Sequence, residues 1–398
     1  MWFRPILLGW LVLLPWGSAA AGPGEWSGYA GLELRLFQHP AALPRQSGAP
    51  ELSLELQPEY YREWNQGHDS FSFVPYLRLD DRDARRSHGD IRELTWLHAA
   101  RDWELRLGIR KVFWGVLESA HLVDIINQTD LVEDPDEEDK LGQPMLNLAW
   151  IRPSGTWDLF LMPLFRERSF PGPAGRLRTR LPVDSRGARY ESAAGRHHLD
   201  VALRWFGSRG PLDLGLAAFH GTSREPRLLP GGSPRQPVLV PFYDLIDQVS
   251  VDAQLTLEDW LLKLEALGRA GQGRRFARAG AGFEYSFVGI GGSALDLGVI
   301  GEYLFDSRGE NATTPFQHDL MTGLRLSFND AQSTEILAGI TFDRDSRERF
   351  YNLEADHRLG DRWKLRLEAR LFSGFDPASP FAGLRADDYL QLELAAYF

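Results

Sequence analysis

Segments of about ten residues in which aliphatic and polar side chains alternate recur along nearly the whole chain, and few folds accommodate that pattern over such a length. Ala30, Leu32, Leu34 and Leu36 alternate with Glu33 and Arg35, and Leu52, Leu54 and Leu56 alternate with Ser53, Glu55 and Gln57. A period of two puts one set on each face of a strand. The series continues through 71–79, 91–99 and a strand opening at Trp103, then 145–152, 157–165, 199–206 and 212–219. It resumes at 249–257, 260–267, 277–287, 295–305 and 320–328, and closes with 334–343, 350–359, 363–372 and 388–398. Within 91–99, Leu94, Trp96 and Leu97 compete for the apolar face and leave its parity open. The count is about eighteen strands, with sixteen as the alternative; both are even numbers within the range of transmembrane barrels.

Alternation inside single strands also fits an exported β-sandwich. The polar face separates the two readings. Arg106, Arg110, Lys263, Glu265, Arg278, Glu284, Glu302, Arg325, Glu354, Arg366, Glu368 and Arg370 all stand opposite aliphatic rows. In a sandwich such residues face outward solvent, whereas in a porin they line an aqueous lumen and the aliphatic rows meet lipid. Connection lengths favour the second arrangement. Short links at 100–102, 153–155, 208–210, 258–259, 289–293, 329–332 and 360–362 alternate with long ones at 38–50, 115–144, 166–196, 222–244, 306–315 and 373–387. Outer-membrane barrels show this asymmetry between periplasmic turns and external loops, and it puts both chain ends on the periplasmic side. The expectation is an all-β fold: a transmembrane antiparallel β-barrel over residues 22–398 as one domain, with Leu264 facing lipid and Glu265 facing the lumen.

Residues 1–21 read as a secretory signal, with Arg4, an apolar core from Pro5 to Trp16 and a small-residue stretch, Gly17 to Ala21. Arg4 is its sole charge, so without it the chain's 44 basic residues fall to 43 against 55 acidic, a net charge of -12. That balance argues against a nucleic-acid partner. The chain has no cysteine, which excludes thiolate metal sites and thiol nucleophiles.

The stretch 103–145 departs from the pattern. After Trp114-Gly115 the alternation stops, and roughly thirty residues follow, 115–144, a length that is usually functional in a compact fold. It is the candidate to fold into a barrel and narrow it. Asp124, Asn127 and Asp130 are spaced to share one face of a helical turn, where they could line a constriction or satisfy loop amides. The run Glu133, Asp134, Pro135, Asp136, Glu137, Glu138, Asp139 offers oxygen ligands, but it lacks the glycine and terminal glutamate of an EF-hand and reads as a solvated acidic loop. His197, His198 and Asp200 lack a third placed ligand or a nucleophile motif and read as a strand end. No motif calls for a cofactor or a bound metal.

The ending YLQLELAAYF resembles the terminal strand of bacterial outer-membrane proteins, which implies that Phe398 is read by the barrel assembly machinery. The central stretch resembles a poorly characterised family of proteobacterial outer-membrane porin-like proteins, in which a strand ending Trp-Gly leads into Asp-x-x-Asn-x-x-Asp. Gly108, Trp114, Gly115, Asp124, Asn127 and Asp130 carry the match, preceded by Arg92-Glu93-Leu94, while Ile109 and Gln128 stand where an arginine and a proline are expected. The expected function is an outer-membrane channel for polar or ionic small solutes, embedded in outer-membrane lipid and not an enzyme. A barrel-embedded enzyme is the rival, although no Ser or His constellation is assembled by spacing. A channel for hydrophobic molecules, suggested by 23 Phe and 13 Trp, is the other.

Overall fold

The computed structural model describes residues 24–398 except Pro315 and 376–380; the leader assigned to 1–21 lies outside the described residues. Among the described residues there are twenty-one strands, eighteen of which form one closed antiparallel barrel. The first seven are β1 (Glu25–Phe37), β2 (Glu51–Trp64), β3 (Asp69–Asp80), β4 (His88–Ala99), β5 (Trp103–Arg110), β6 (Gln143–Arg152) and β7 (Gly155–Met162). The barrel continues with β9 (Asp200–Arg209), β10 (Leu212–Thr222), β13 (Leu245–Leu257), β14 (Trp260–Gly271), β15 (Gly273–Phe287) and β16 (Asp296–Asp306). Its last five are β17 (His318–Ser327), β18 (Glu335–Asp343), β19 (Arg349–Leu359), β20 (Trp363–Ser373) and β21 (Tyr389–Tyr397). Three strands that the alternation does not predict, β8 (Arg189–Tyr190), β11 (Arg227–Ser233) and β12 (Gln236–Tyr243), form a separate small sheet in the long connections. Among the described residues no helix is long and apolar enough to cross a membrane.

Each expected barrel strand has its counterpart, and every barrel strand pairs with its neighbours in the barrel. β21 closes on β1 from Tyr29↔Tyr397 to Phe37↔Tyr389, and the Phe398 amide donates to the Gly28 carbonyl (3.0 Å). Closure removes the open edges that would leave backbone groups unpaired in hydrocarbon. Deleting Phe398 is expected to lower the amount of heat-modifiable barrel recovered from outer membranes; undiminished recovery would remove any assembly role for that residue.

The faces separate as alternation requires. Leu32, Leu54, Leu79, Leu216, Leu264 and Leu324 are exposed, while their neighbours Glu33, Glu55, Arg78 and Glu265 are buried. At the short-turn end, Trp26, Trp64, Trp103, Trp150, Trp157, Trp260 and Trp363 are all exposed, which makes an aromatic girdle suited to a membrane interface. The ambiguous parity of 91–99 has a structural cause. Between Val74 and Pro75 the β3–β4 register shifts by one, so Arg92 is the extra residue. Asp90 and Arg92 are buried before the bulge and Thr95 after it, so the inward set changes from even to odd numbers. The link between β2 and β3 is short as well, because β2 extends to Trp64 and leaves a turn of four residues, 65–68.

Candidate functional site

The connection between β5 and β6, residues 111–142, packs on buried side chains of the barrel strands, on the face opposite the exposed leucine rows. Its apolar residues choose one side. Trp114, Val123, Ile125 and Ile126 cluster with Met145, Phe160, Met162, Ala202, Phe219 and Ile246, on β6, β7, β9, β10 and β13. Leu117 and Leu122 join Leu267, Phe276 and Leu304, on β14, β15 and β16. The inner face of these strands is thus partly greasy, where alternation predicts polar lining throughout. Burying each such side chain contributes about 1.5–3 kcal/mol, enough to seat the segment firmly.

Two wall carboxylates fix its backbone. Glu265 is fully buried and accepts from the amides of Val116 (2.6 Å), Leu117 (3.0 Å) and Val123 (3.1 Å). Glu302 accepts from the amides of Glu118 (2.7 Å) and Ser119 (2.9 Å). Gly115 permits the close approach: its φ is +146°, and a Cβ there would lie 3.0 Å from Glu265 Oε1 and 3.1 Å from His121 Nδ1. From the far side, Arg224 donates to the Ile126 carbonyl (2.9 Å).

Asp124, Asn127 and Asp130 do not share a helical face, because the segment is irregular there and 129–130 form bridges to Lys140 and Ser169. Each residue has its own task. Asn127 accepts from the Val112 amide and donates to the carbonyls of Arg110 and Leu141, all at 2.8 Å, which staples the segment's entry to its exit. Asp130 meets Arg92 (2.9 Å) and His88 (3.2 Å). The Asp124 side chain is completely buried, with Lys140 at 3.4 Å, and burial pushes its carboxyl up.

The acidic run is not a freely solvated loop. Glu133 pairs with Arg78 (2.8 Å), and Asp134 accepts from the Tyr389 hydroxyl (3.0 Å) with Arg35 at 3.9 Å. Asp136 meets Arg370 (2.9 Å), Glu137 meets Arg168 (3.1 Å) and Glu138 lies 3.6 Å from His121. Water reaches part of Asp139, yet the surrounding protein and the neighbouring Glu133 push its carboxyl up to about 7. His88, Asp130 and Glu133 each bring a donor atom within 4.8 Å of the others, but Arg92 and Arg78 already supply the positive charge a metal would bring.

Many of the expected wall residues are sequestered in pairs. Arg106 and Arg110 both donate to Asn147 (3.3 and 2.8 Å), Lys263 lies 3.6 Å from Glu118, and Arg278 pairs with Glu225 (2.7 Å). Arg325 gathers Glu118 (2.7 Å), Glu284 (3.3 Å) and Glu335 (2.7 Å). Arg370 gathers Glu354 (2.9 Å) and Glu368 (3.0 Å), and Arg366 pairs with Glu393 (3.1 Å).

A cavity of about 580 Å3 remains, and it is eccentric. One side is the segment itself, including Glu118, Asp124, Asp136, Glu137 and Glu138; the other is the inner wall of β17–β20, including Arg325, Glu335, Leu337, Asn352, Glu354, Asp356 and Arg370. Both signs of charge line it, but not equally. Glu138, Glu137, Glu335, Glu354 and Asp356 show 43–62% of their side-chain surface, against 10–13% for Arg168, Arg370 and Lys140 and 27% for Arg325. The accessible charge is therefore acidic while the cations sit behind it. Sequence reasoning missed Phe316, Phe350, Phe372 and Phe381, which line the same cavity from β19, β20 and two long connections. Phe350 and Phe372 obeyed the inward parity all along, but parity does not say which inward residues border open space.

No protein-family model and no curated protein sequence matches the chain. Among solved structures, Pseudomonas aeruginosa OccK8 (OprE) is similar at 9% identity with a TM-score of 0.54, covering 94% of this chain and 97% of that one. A loop-deletion variant of OmpT, an outer membrane protein of Vibrio cholerae, gives 9% identity and a TM-score of 0.48, covering 95% of this chain and 100% of the other. A mutant of Rh. blastica porin gives 11% and 0.44, covering 94% and 100%. What OccK8 shares with this chain is its architecture, and together with the closed eighteen-strand sheet, its lipid-suited outer face and its aromatic girdle it makes the fold that of an outer-membrane, porin-type β-barrel.

Proposed function

We propose that the protein is an outer-membrane channel for small polar or ionic solutes, with residues 111–142 narrowing its lumen and cations preferred over anions. The observation that carries this reading is the asymmetry of accessible charge around the remaining cavity: carboxylates reach water and the guanidinium groups lie behind them. A negative potential in a low-dielectric passage concentrates cations and excludes anions.

Reversal potentials in a planar bilayer under a KCl gradient test it. The wild-type channel should favour K+, and Glu138→Gln/Glu354→Gln/Asp356→Asn should move the reversal potential toward zero. Lowering pH from 8 to 6 should act in the same direction, because the carboxyl of Asp139, pushed up to about 7, is charged above that pH and neutral below it. Both effects should be largest at low salt, since screening shortens to about 3 Å at 1 M. A channel that prefers chloride, or one indifferent to all three substitutions, would refute the proposed selectivity.

A further inference from the structure

The cavity has a second property that charge alone does not explain. Its outer end is aromatic. Phe350 lies 5.9 Å from Phe316 and 5.5 Å from Phe372, ring centre to ring centre, both edge to face. Phe350 and Phe316 are only half-buried, so ring surface is left toward the cavity that both line. Below them on the same inward row of β19 come Asn352, Glu354 and Asp356, so about 13 Å of strand separates Phe350 from Glu354. A solute entering from the loop side meets rings first, then an amide, then carboxylates.

From this order we infer that the channel selects organic cations that carry an aromatic or similarly flat apolar body. The inference rests on the channel reading above and deepens it. An aromatic wall gathers a flat apolar group by burial and a cation by its ring faces, whereas it offers an inorganic ion far less. An aromatic anion would need accessible guanidinium groups. The arginines along the cavity are otherwise engaged: Arg178 donates to the carbonyls of Thr179, Arg180 and Pro44, Arg168 pairs with Glu137, and Arg370 pairs with Asp136 and Glu354. The carboxylates are what a passing charge meets.

The test uses the full-length protein in planar bilayers carrying K+ current, with phenethylammonium, ethylammonium or phenylacetate added on the loop side. Phenethylammonium should interrupt the current with dwell times at least tenfold longer than those of ethylammonium, and phenylacetate should not interrupt it. Phe316→Leu should shrink the dwell-time ratio of the two ammonium ions, and Glu354→Gln/Asp356→Asn should reduce the frequency of phenethylammonium events. Phe350→Leu provides the same readout should Phe316→Leu fail to yield heat-modifiable barrel. A cation-preferring K+ current with equal dwell times for the two ammonium ions, or with phenylacetate blocking as well as phenethylammonium, overturns the inference and leaves the channel reading standing. Absence of any K+ current overturns both.

Discussion

Glu265→Arg is expected to turn a quiet, narrow channel into a noisy one of several-fold larger conductance while the barrel itself stays folded. The carboxylate it removes accepts three backbone amides of the segment, from Val116, Leu117 and Val123. Hydrogen bonds to a charged acceptor contribute about 1.5–3 kcal/mol each, and the new guanidinium would face donors, not acceptors. That loss exceeds what Leu117 and Leu122 regain by staying packed, at about 1.5–3 kcal/mol apiece, and leaves the Glu302 bonds to Glu118 and Ser119 as the remaining polar hold, so residues 115–122 should leave the wall intermittently. Trp114, Val123, Ile125 and Ile126 lie in a different cluster with β6–β13, and Asn127 still staples entry to exit. The segment should therefore swing about its anchored part and not depart, giving open-channel noise and excursions to high conductance. Glu265→Gln keeps one acceptor oxygen and should show a milder form. The expectation from alternation alone is different: a lumen-facing glutamate changed to arginine should shift ion selectivity and little else. Single-channel recordings of Glu265→Arg with wild-type amplitude and noise, and only a shifted reversal potential, would support that simpler picture against the tether.

That contrast shows where sequence reasoning reached its limit. The period-two pattern follows from the pleat of a strand and the presence of two solvents, so the eighteen barrel strands and their facing were legible. The small sheet β8–β11–β12 was not, because Arg227–Ser233 and Gln236–Tyr243 lie outside the barrel wall and bury no face against lipid. Parity identified Glu265, Glu302 and Arg370 as inward, but it could not separate a side chain that meets water from one that holds a backbone or another charge. That difference depends on the path of residues 111–142, which has no period. The motif residues were legible as a group and not as roles. Gly108 is required because a Cβ would lie 1.9 Å from the Leu94 carbonyl, and Asn127 because its amide joins three backbone groups; both are demands of the fold, and of the three polar motif residues Asp124 and Asn127 border the cavity while Asp130 does not.

Leu264→Arg should have the opposite outcome to Glu265→Arg: the segment keeps its seat and the barrel itself is weakened. Leu264 sits near the middle of β14, opposite Ala253 and Ala281 on its neighbours, with 41% of its surface exposed on the face that alternation assigns to lipid. Arginine near the bilayer midplane costs about 2–4 kcal/mol, and at the interface about 0–1 kcal/mol. The larger cost is roughly a 30- to 700-fold shift toward the unfolded chain. Leu257 is the internal control, equally exposed (44%) but at the short-turn end of β13 beside the Trp260 girdle, so an arginine there can place its head among polar groups. Refolding into lipid vesicles across a denaturant series, scored by heat-modifiable migration, compares the two directly. Leu264→Arg should lower the midpoint sharply and Leu257→Arg hardly at all. Equal midpoints for both variants would mean that depth in hydrocarbon does not distinguish the positions, and the assignment of the Leu264 row to the lipid-facing surface would have to be abandoned.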